Sequence, residues 1–224
     1  MNALFITATD TNAGKTVLTT ALAAYWRKYC GDRPLGILKP VQSGTGDREL
    51  LSRLFAIDPS EITPLFFAAP LAPPLAAQKE GRRVELEKAW QAFEQMQQTR
   101  EFVLVESAGG LGSPLTAETT NADLAWDWRL PTVLVVPVRL GAIGQAVAHA
   151  ALAQQCRVHL KGIVLNCVQP CTQEEIADLA PADLIRSLTH LPVLGLLPHL
   201  PDPGDLDKLA QVASNLDLER LLPL

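Results

Sequence analysis

The sequence predicts a doubly wound α/β domain built on a mainly parallel sheet, and three observations predict it. Short apolar strands alternate with helix-period segments along the whole chain, the order in which crossover helices join parallel strands. Strands such as Val103-Leu-Val105 and Val133-Leu-Val-Val136 are apolar without alternation, as strands covered by helices on both faces are. Finally, the segment Leu4-Phe-Ile-Thr-Ala-Thr-Asp-Thr-Asn-Ala-Gly-Lys-Thr16 runs strand, loop and helix together. In that order backbone N–H groups can wrap a phosphate, while a lysine reaches the terminal phosphates and a hydroxyl binds Mg²⁺.

Strands are predicted at Ala3–Thr7, Leu35–Lys39, Phe102–Glu106, Thr132–Pro137, Lys161–Asn166 and Val193–Leu197. Helical periodicity covers Lys15–Tyr29, Asp47–Phe55, Glu85–Gln97, Asn121–Trp128, Ile143–Gln155, Gln173–Ser187 and Leu206–Asn215. Pro64, Pro70, Pro73 and Pro74 exclude one continuous helix over Pro64–Gly81. An irregular crossover of that length in a compact domain is expected to lie over the site. There is no internal repeat and no flexible linker, so residues 1–224 are expected to form a single domain.

A formal charge of −5 argues against a nucleic-acid or anionic-membrane surface. No apolar run has the length of a membrane span. The N-terminal apolar run lacks a basic flank and enters the phosphate loop, so it does not read as a signal peptide. The four cysteines, Cys30, Cys156, Cys167 and Cys171, have no zinc-type partner pair. They read as reduced thiols of a cytoplasmic protein.

Ligands of such sheets sit at the carboxyl ends of the strands. The first strand ends in the phosphate loop and the second in Lys39-Pro-Val-Gln-Ser-Gly44. The third ends in Glu106-Ser-Ala-Gly-Gly-Leu-Gly112, the fourth in Pro137-Val-Arg-Leu-Gly141, the fifth in Asn166-Cys167 and the sixth in Pro198-His-Leu-Pro201. The usual loop pattern G-x-x-x-x-G-K-[ST] fails at its first glycine, where Thr9 stands. The match to the P-loop NTPase type therefore rests on Gly14-Lys15-Thr16 and its setting.

Candidate chemistry follows from position. Thr16 is expected to hold Mg²⁺, which also takes carboxylates. Glu106, directly after an apolar strand, is either such a ligand or a cap of the next turn. Asp47, opening a helix, is either a ligand or an N-cap. As a metal ligand, Glu106 has its charge balanced by the cation, and Glu106→Gln is expected to leave unliganded stability unchanged or higher. Lys39 is either solvated at the sheet rim or aimed into the cleft, where a second cation would suit charge building on several oxygens. Ser43, with Gly44 and Gly46, lets backbone approach a small polar ligand. Asn166 offers donor and acceptor together, as reading a nucleobase edge demands.

Together the stretches Thr9-Asp-Thr-Asn-Ala-Gly-Lys-Thr16, Lys39-Pro-Val-Gln-Ser-Gly44, Val105-Glu-Ser-Ala-Gly-Gly110 and Pro192-Val-Leu-Gly-Leu-Leu-Pro198 resemble the dethiobiotin synthetase family, in order and spacing. The resemblance implies ATP- and Mg²⁺-dependent closure of a cyclic urea from 7,8-diaminononanoate and CO₂. It implies that Asn12, Ala13, Gly14, Lys15, Thr16 and Val17 cradle ATP, with Thr16, Asp47 and Glu106 on the metal. Lys39, Lys15 and Thr11 take catalytic roles, and Thr11 and Ser43 touch the diamine or its carbamate. Ser107, Ala108 and Gly109 follow the acidic residue within the nucleotide site. Asn166 and Cys167 match the base-binding pair, and Pro198, His199, Leu200 and Asp205 the adenine and ribose edge. The family works as a homodimer, so Leu140, Gly141, Ala142 and Ile143 are expected to hold the partner's substrate carboxylate at a helix N-terminus.

Four positions depart from the family pattern. Ala8 replaces a frequent glycine and requires an ordinary φ there. Asn12 replaces a common acidic residue, Ser107 a frequent glycine, and Cys167 a common aspartate. Two other classes compete: a dimerising ATP switch of the partitioning type, and a non-catalytic P-loop domain. The switch carries an extra lysine four residues before the loop's last glycine, where this chain has Asp10.

Overall fold

In the computed structural model, which describes residues 2–224, β1 (Ala3–Ala8) leads through α1 (Lys15–Tyr29) to β2 (Leu35–Leu38) and β3 (Val41–Ser43). Next come α2 (Asp47–Phe55), α3 (Pro59–Ile62), β4 (Leu65–Phe67), α4 (Pro73–Lys79) and α5 (Leu86–Thr99), which fill the crossover to β5 (Phe102–Glu106). The second half runs α6 (Asn121–Asp127), β6 (Thr132–Pro137), α7 (Ala142–Gln155), β7 (Leu160–Asn166), α8 (Gln173–Leu179) and α9 (Ala182–Thr189). It closes with β8 (Val193–Leu197), α10 (Leu206–Ala213) and α11 (Leu218–Leu221).

The main sheet has six strands in the order β2-β5-β1-β6-β7-β8, and every pairing in it is parallel. All six carboxyl ends therefore meet one edge. The apolar strands without alternation are explained by burial on both faces. Leu4 and Ile6 of β1, with Leu104, Val133 and Val135, pack against Leu18, Leu22 and Trp26 of α1. Ala3 and Phe5, with Val103 and Val105, pack against Phe93 of α5 and Leu124 of α6. Each fully buried side chain of this size contributes about 1.5–3 kcal/mol. On the outer side of α1, Ala21 and Ala24 let α10 approach through Leu209, Ala210 and Ala213.

Two expectations need correction. The segment Gln173–Ser187 is not one helix: it breaks into α8 and α9 at Ala180-Pro181. Proline has no N–H to continue the ladder, and it pushes the preceding residue out of the helical region, here to φ −145°. The stretch Pro64–Gly81 is also more ordered than an irregular crossover. It contains β4, which pairs in parallel with β3 as a second small sheet. It also contains α4, whose first residues are Pro73 and Pro74, where missing N–H groups cost nothing.

Candidate functional site

The phosphate loop hangs between the first strand and first helix, and its ends are fixed by backbone chemistry. Thr9 N–H still pairs with Val135 O at 3.1 Å, so the chain leaves the sheet only after Thr9. Ala8 keeps an ordinary backbone conformation within β1, as its side chain requires. Gly14 caps α1 at φ +99°, and a Cβ there would stand 2.0 Å from Asn166 Nδ2. Both facts require glycine. Lys15 folds back across the loop and donates to Thr11 O at 2.8 Å and Asp10 O at 3.3 Å. Burial pushes its pKa down to about 8, against the opposing pull of Glu106. Asp10 accepts from Thr11 N–H at 2.7 Å and pairs with Arg139 at 2.7 Å, which staples the loop to the segment after β6.

Glu106, at the end of β5, is fully buried. Its Oε1 accepts from Thr16 Oγ1 at 2.9 Å and Lys39 Nζ at 2.7 Å, and its Oε2 from Thr19 Oγ1 at 2.7 Å. Lys39, just past β2, is 3% exposed and also pairs with Asp47. It is therefore aimed into the cleft rather than solvated. Burial alone would lower its pKa, but the Glu106 and Asp47 carboxylates beside it hold it above the ordinary lysine value. Burial works likewise against Asp47, yet the Lys39 charge holds that carboxyl below its usual range. A buried charge persists only when paired and hydrogen-bonded, and this cluster meets that condition. Asp47 is not the N-cap of α2, because Gly46 is. Glu49 closes that end by accepting from Gly46 N–H at 2.7 Å.

Two clefts flank the cluster. One, of about 520 Å³, is lined by Thr11, Lys39, Ser43 and Asp47, by Pro70 to Pro73, and by Ala108 and Gly109. The Pro-rich crossover thus walls this cleft, as expected of a segment over the site. Ser43 Oγ is buried there without a hydrogen-bond partner, a group left for a ligand. The other cleft, of about 300 Å³, is lined by Asn12, Gly14 to Val17, Asn166, Cys167, Pro198, His199 and Leu200. Thr11 and Asp47 belong to both.

Not every candidate faces a cleft in the way its sequence position suggests. Asn166 is 2% exposed and donates to Ala13 O at 2.9 Å, so its amide steadies the phosphate loop. Ala13 itself is buried and offers that carbonyl. Cys167 is a buried thiol pushed up to about 12 by burial and by the neighbouring Cys171 thiol. His199 Nδ1 donates to Val168 O at 3.1 Å. Ser107 is turned into the sheet, donating to Gly109 O at 2.8 Å and sharing a hydroxyl–hydroxyl hydrogen bond with Thr7 Oγ1 at 3.1 Å. Ala108 and Gly109 line the larger cleft rather than the phosphate-loop cleft. Asp205 stands apart from both: it caps α10, accepting from Lys208 N–H at 2.9 Å. Leu140, Gly141, Ala142 and Ile143 open α7 outside both clefts, with Leu140 89% exposed.

Three residues at the site escape sequence reading. Thr19 sits one turn after Thr16 on the same helix face. Gln42 is buried; it donates to Gly44 O at 3.1 Å and accepts from Arg48 N–H at 3.0 Å, which fixes the turn into α2. Arg139 answers Asp10. Among the described residues no cluster of three or more His, Cys, Asp or Glu forms a metal cage. Thr16 and the two carboxylates instead supply hard oxygen donors around the Lys39 ammonium.

A family model described as "AAA domain" matches residues 2–205. The ATP-dependent dethiobiotin synthetase BioD of Gloeothece citriformis is 58% identical, over 100% of both chains. That of Crocosphaera subtropica is 52% identical, over 99% of this chain and 100% of its own. A Bacillus cereus enzyme of the same name is 34% identical over 88% of this chain and 84% of its own. Among solved structures, the MinC:MinD cell division protein complex of Aquifex aeolicus superposes with a TM-score of 0.60 at 14% identity, covering 100% of this chain and 98% of that one. A ParA family ATPase from Chlorobium tepidum does so at 0.55 and 13%, covering 99% and 93%. Those two likenesses bear on the fold alone, a mainly parallel α/β sheet of the P-loop type. With full-length identity to relatives of one name, and with the lysine, threonine and carboxylates gathered around one phosphate loop, the chain belongs to the family of ATP-dependent dethiobiotin synthetases.

Proposed function

We propose that this chain carboxylates 7,8-diaminononanoate with CO₂ and closes the product to dethiobiotin, converting ATP to ADP and phosphate. One observation carries the reading. Lys39 stands between Glu106 and Asp47 in the larger cleft, and that cleft meets the phosphate-loop cleft at Thr11 and Asp47. A terminal phosphate held on one side and a carbamate on the other would both lie within reach of the two lysines.

The donor set fits Mg²⁺. It takes oxygen ligands from one or two carboxylates together with nucleotide phosphates, and Thr16, Glu106 and Asp47 would hold it. When bound, it would neutralise charge on the transferring phosphate. The rest of the chemistry falls to this chain. One amine adds to CO₂ and releases a proton, giving a carbamate. A carbamate oxygen attacks the γ-phosphorus and ADP departs, leaving a carbamic-phosphoric mixed anhydride. The second amine attacks the carbonyl carbon, phosphate departs with the C–O bond electrons, a proton is lost and the ring closes. Lys15 and Lys39 stabilise charge on the phosphate and carbamate oxygens as it develops, while Thr11 and the unpartnered Ser43 hydroxyl orient the diamine. The distal carboxylate would reach Leu140, Gly141, Ala142 and Ile143 of a second copy in a homodimer.

Incubating the protein with the diamine, bicarbonate, Mg²⁺ and ATP should give the cyclic urea by mass analysis, with one ADP per ring. ATP turnover without urea would overturn this reading.

A further inference from the structure

Thr19 is wholly buried behind Glu106, on the side of the carboxylate away from Lys39. Its hydroxyl has one proton and two acceptors in reach, Glu106 Oε2 at 2.7 Å and Lys15 O at 3.0 Å. A mid-helix threonine commonly returns its proton to the carbonyl one turn back. Thr20 does so, donating to Thr16 O at 2.6 Å. For Thr19 the carboxylate is the nearer acceptor, and as an ionised one it forms the stronger bond. The two oxygens of Glu106 are thereby divided: Oε2 is tied to Thr19, and Oε1 faces Thr16 and Lys39.

We propose that Thr19 is a positioning residue that fixes the rotation of the Glu106 carboxylate, so that Oε1 is presented to the divalent cation of the nucleotide. The inference rests on the Mg²⁺-ATP reading above and adds to it a residue that touches neither metal nor phosphate. Without the hydroxyl, Oε2 would be buried with no donor. The carboxylate would then turn towards whatever donor remains, and Oε1 would leave its place beside Thr16. Partners of this kind, behind a metal-binding carboxylate, typically govern affinity by about 10–100-fold.

The test separates metal-dependent from metal-independent binding. ATP affinity is measured by calorimetry with Mg²⁺ and with EDTA, for the wild-type protein and for Thr19→Val, Thr19→Ala and Thr19→Ser. Valine keeps the shape of threonine, and alanine removes the hydroxyl without crowding, so a packing failure of either is seen by circular dichroism and covered by the other. The affinity gained on adding Mg²⁺ should shrink about tenfold or more in the folded valine or alanine variant. Binding in EDTA should stay within about twofold, and serine should restore the gain. The proposal is overturned by an unchanged Mg²⁺ gain, by equal loss with and without metal, or by failure of serine to rescue. A wild-type protein whose ATP affinity ignores Mg²⁺ would also overturn it. Urea formation by the wild-type protein, assayed separately, decides the parent reading on its own.

Discussion

The unliganded charge balance of Glu106 differs from what its place after a strand suggests. The sequence points to a metal as counter-ion, which would make Glu106→Gln harmless without ligand. The structure supplies an internal counter-ion in Lys39 and two hydroxyl donors, so the carboxylate is fully satisfied without metal. A glutamine amide can keep its oxygen towards Thr16 and Lys39, and Thr19 can turn its proton to Lys15 O and accept from the amide nitrogen, but the negative charge that balances the buried Lys39 ammonium is lost. Glu106→Gln is therefore expected to destabilise the unliganded protein by about 1–3 kcal/mol, read from the urea midpoint. A midpoint that is unchanged or higher would return the argument to the metal. At this scale the residue types at the site were legible and their pairings were not. Lys39 and Glu106 stand out because charges at buried strand ends need partners. Thr19 does not, because its partner lies 87 residues away in sequence and a threonine in an apolar helix looks like packing.

Among the elements, those whose period and punctuation agree were legible to the residue: α1, α2, β5, β6 and β8 have the predicted bounds. The failures have local causes. Pro181 divides a helix whose apolar period runs across it, and β3 and β4 are three residues each, too short for a period to register. The N-terminus of α1 depends on Gly14 in two ways, through its left-handed φ and through the space Asn166 takes above it. Gly14→Ala would impose roughly 1–2 kcal/mol of backbone strain and push the Asn166 amide off Ala13 O. We expect nucleotide affinity to fall at least about tenfold, a 1.4 kcal/mol change, with circular dichroism unchanged. Wild-type affinity in the alanine variant would show that the loop does not need this glycine.

The first turn of α2 carries a pH signature. Burial tends to raise the Glu49 pKa, but hydrogen bonds from Arg48 and the Gly46 N–H prevail and hold it at about 2, below the ordinary 4.5. A carboxyl depressed on folding adds stability that is complete above its unfolded pKa and is lost as pH falls through the folded one. The melting-temperature difference between wild type and Glu49→Gln should thus be level above about pH 5 and shrink from pH 4.5 towards 2. A difference that stays level throughout that range would mean the carboxylate does not secure the helix that presents Asp47.

For the whole molecule, the parallel sheet gathers six carboxyl ends on one edge, and this general rule made the site readable before any contact was known. What it leaves open is the far end of the larger cleft. A diamine with a distal carboxylate needs an anion site several methylenes from the reacting amines, yet Leu140 to Ile143 lie outside both clefts of their own chain. If a second copy supplies them, charge at Gly141 should affect the diamine and spare the nucleotide. Gly141 has φ +90° with nothing within 4 Å of an added Cβ, so a side chain there meets strain but no clash. Gly141→Asn isolates that strain, since Asn tolerates the left-handed region, and Gly141→Asp adds only the charge. Relative to the asparagine variant, the aspartate variant should bind the diamine about tenfold or more weakly, at least about 1.4 kcal/mol. Its ATP affinity should stay within a factor of about three, because the phosphate loop and its carboxylates come from one chain. Calorimetry on both variants, with sedimentation to establish the dimer, reads the two affinities side by side. Equal loss of both ligands, or equal diamine binding by the two variants, would end the shared-site idea.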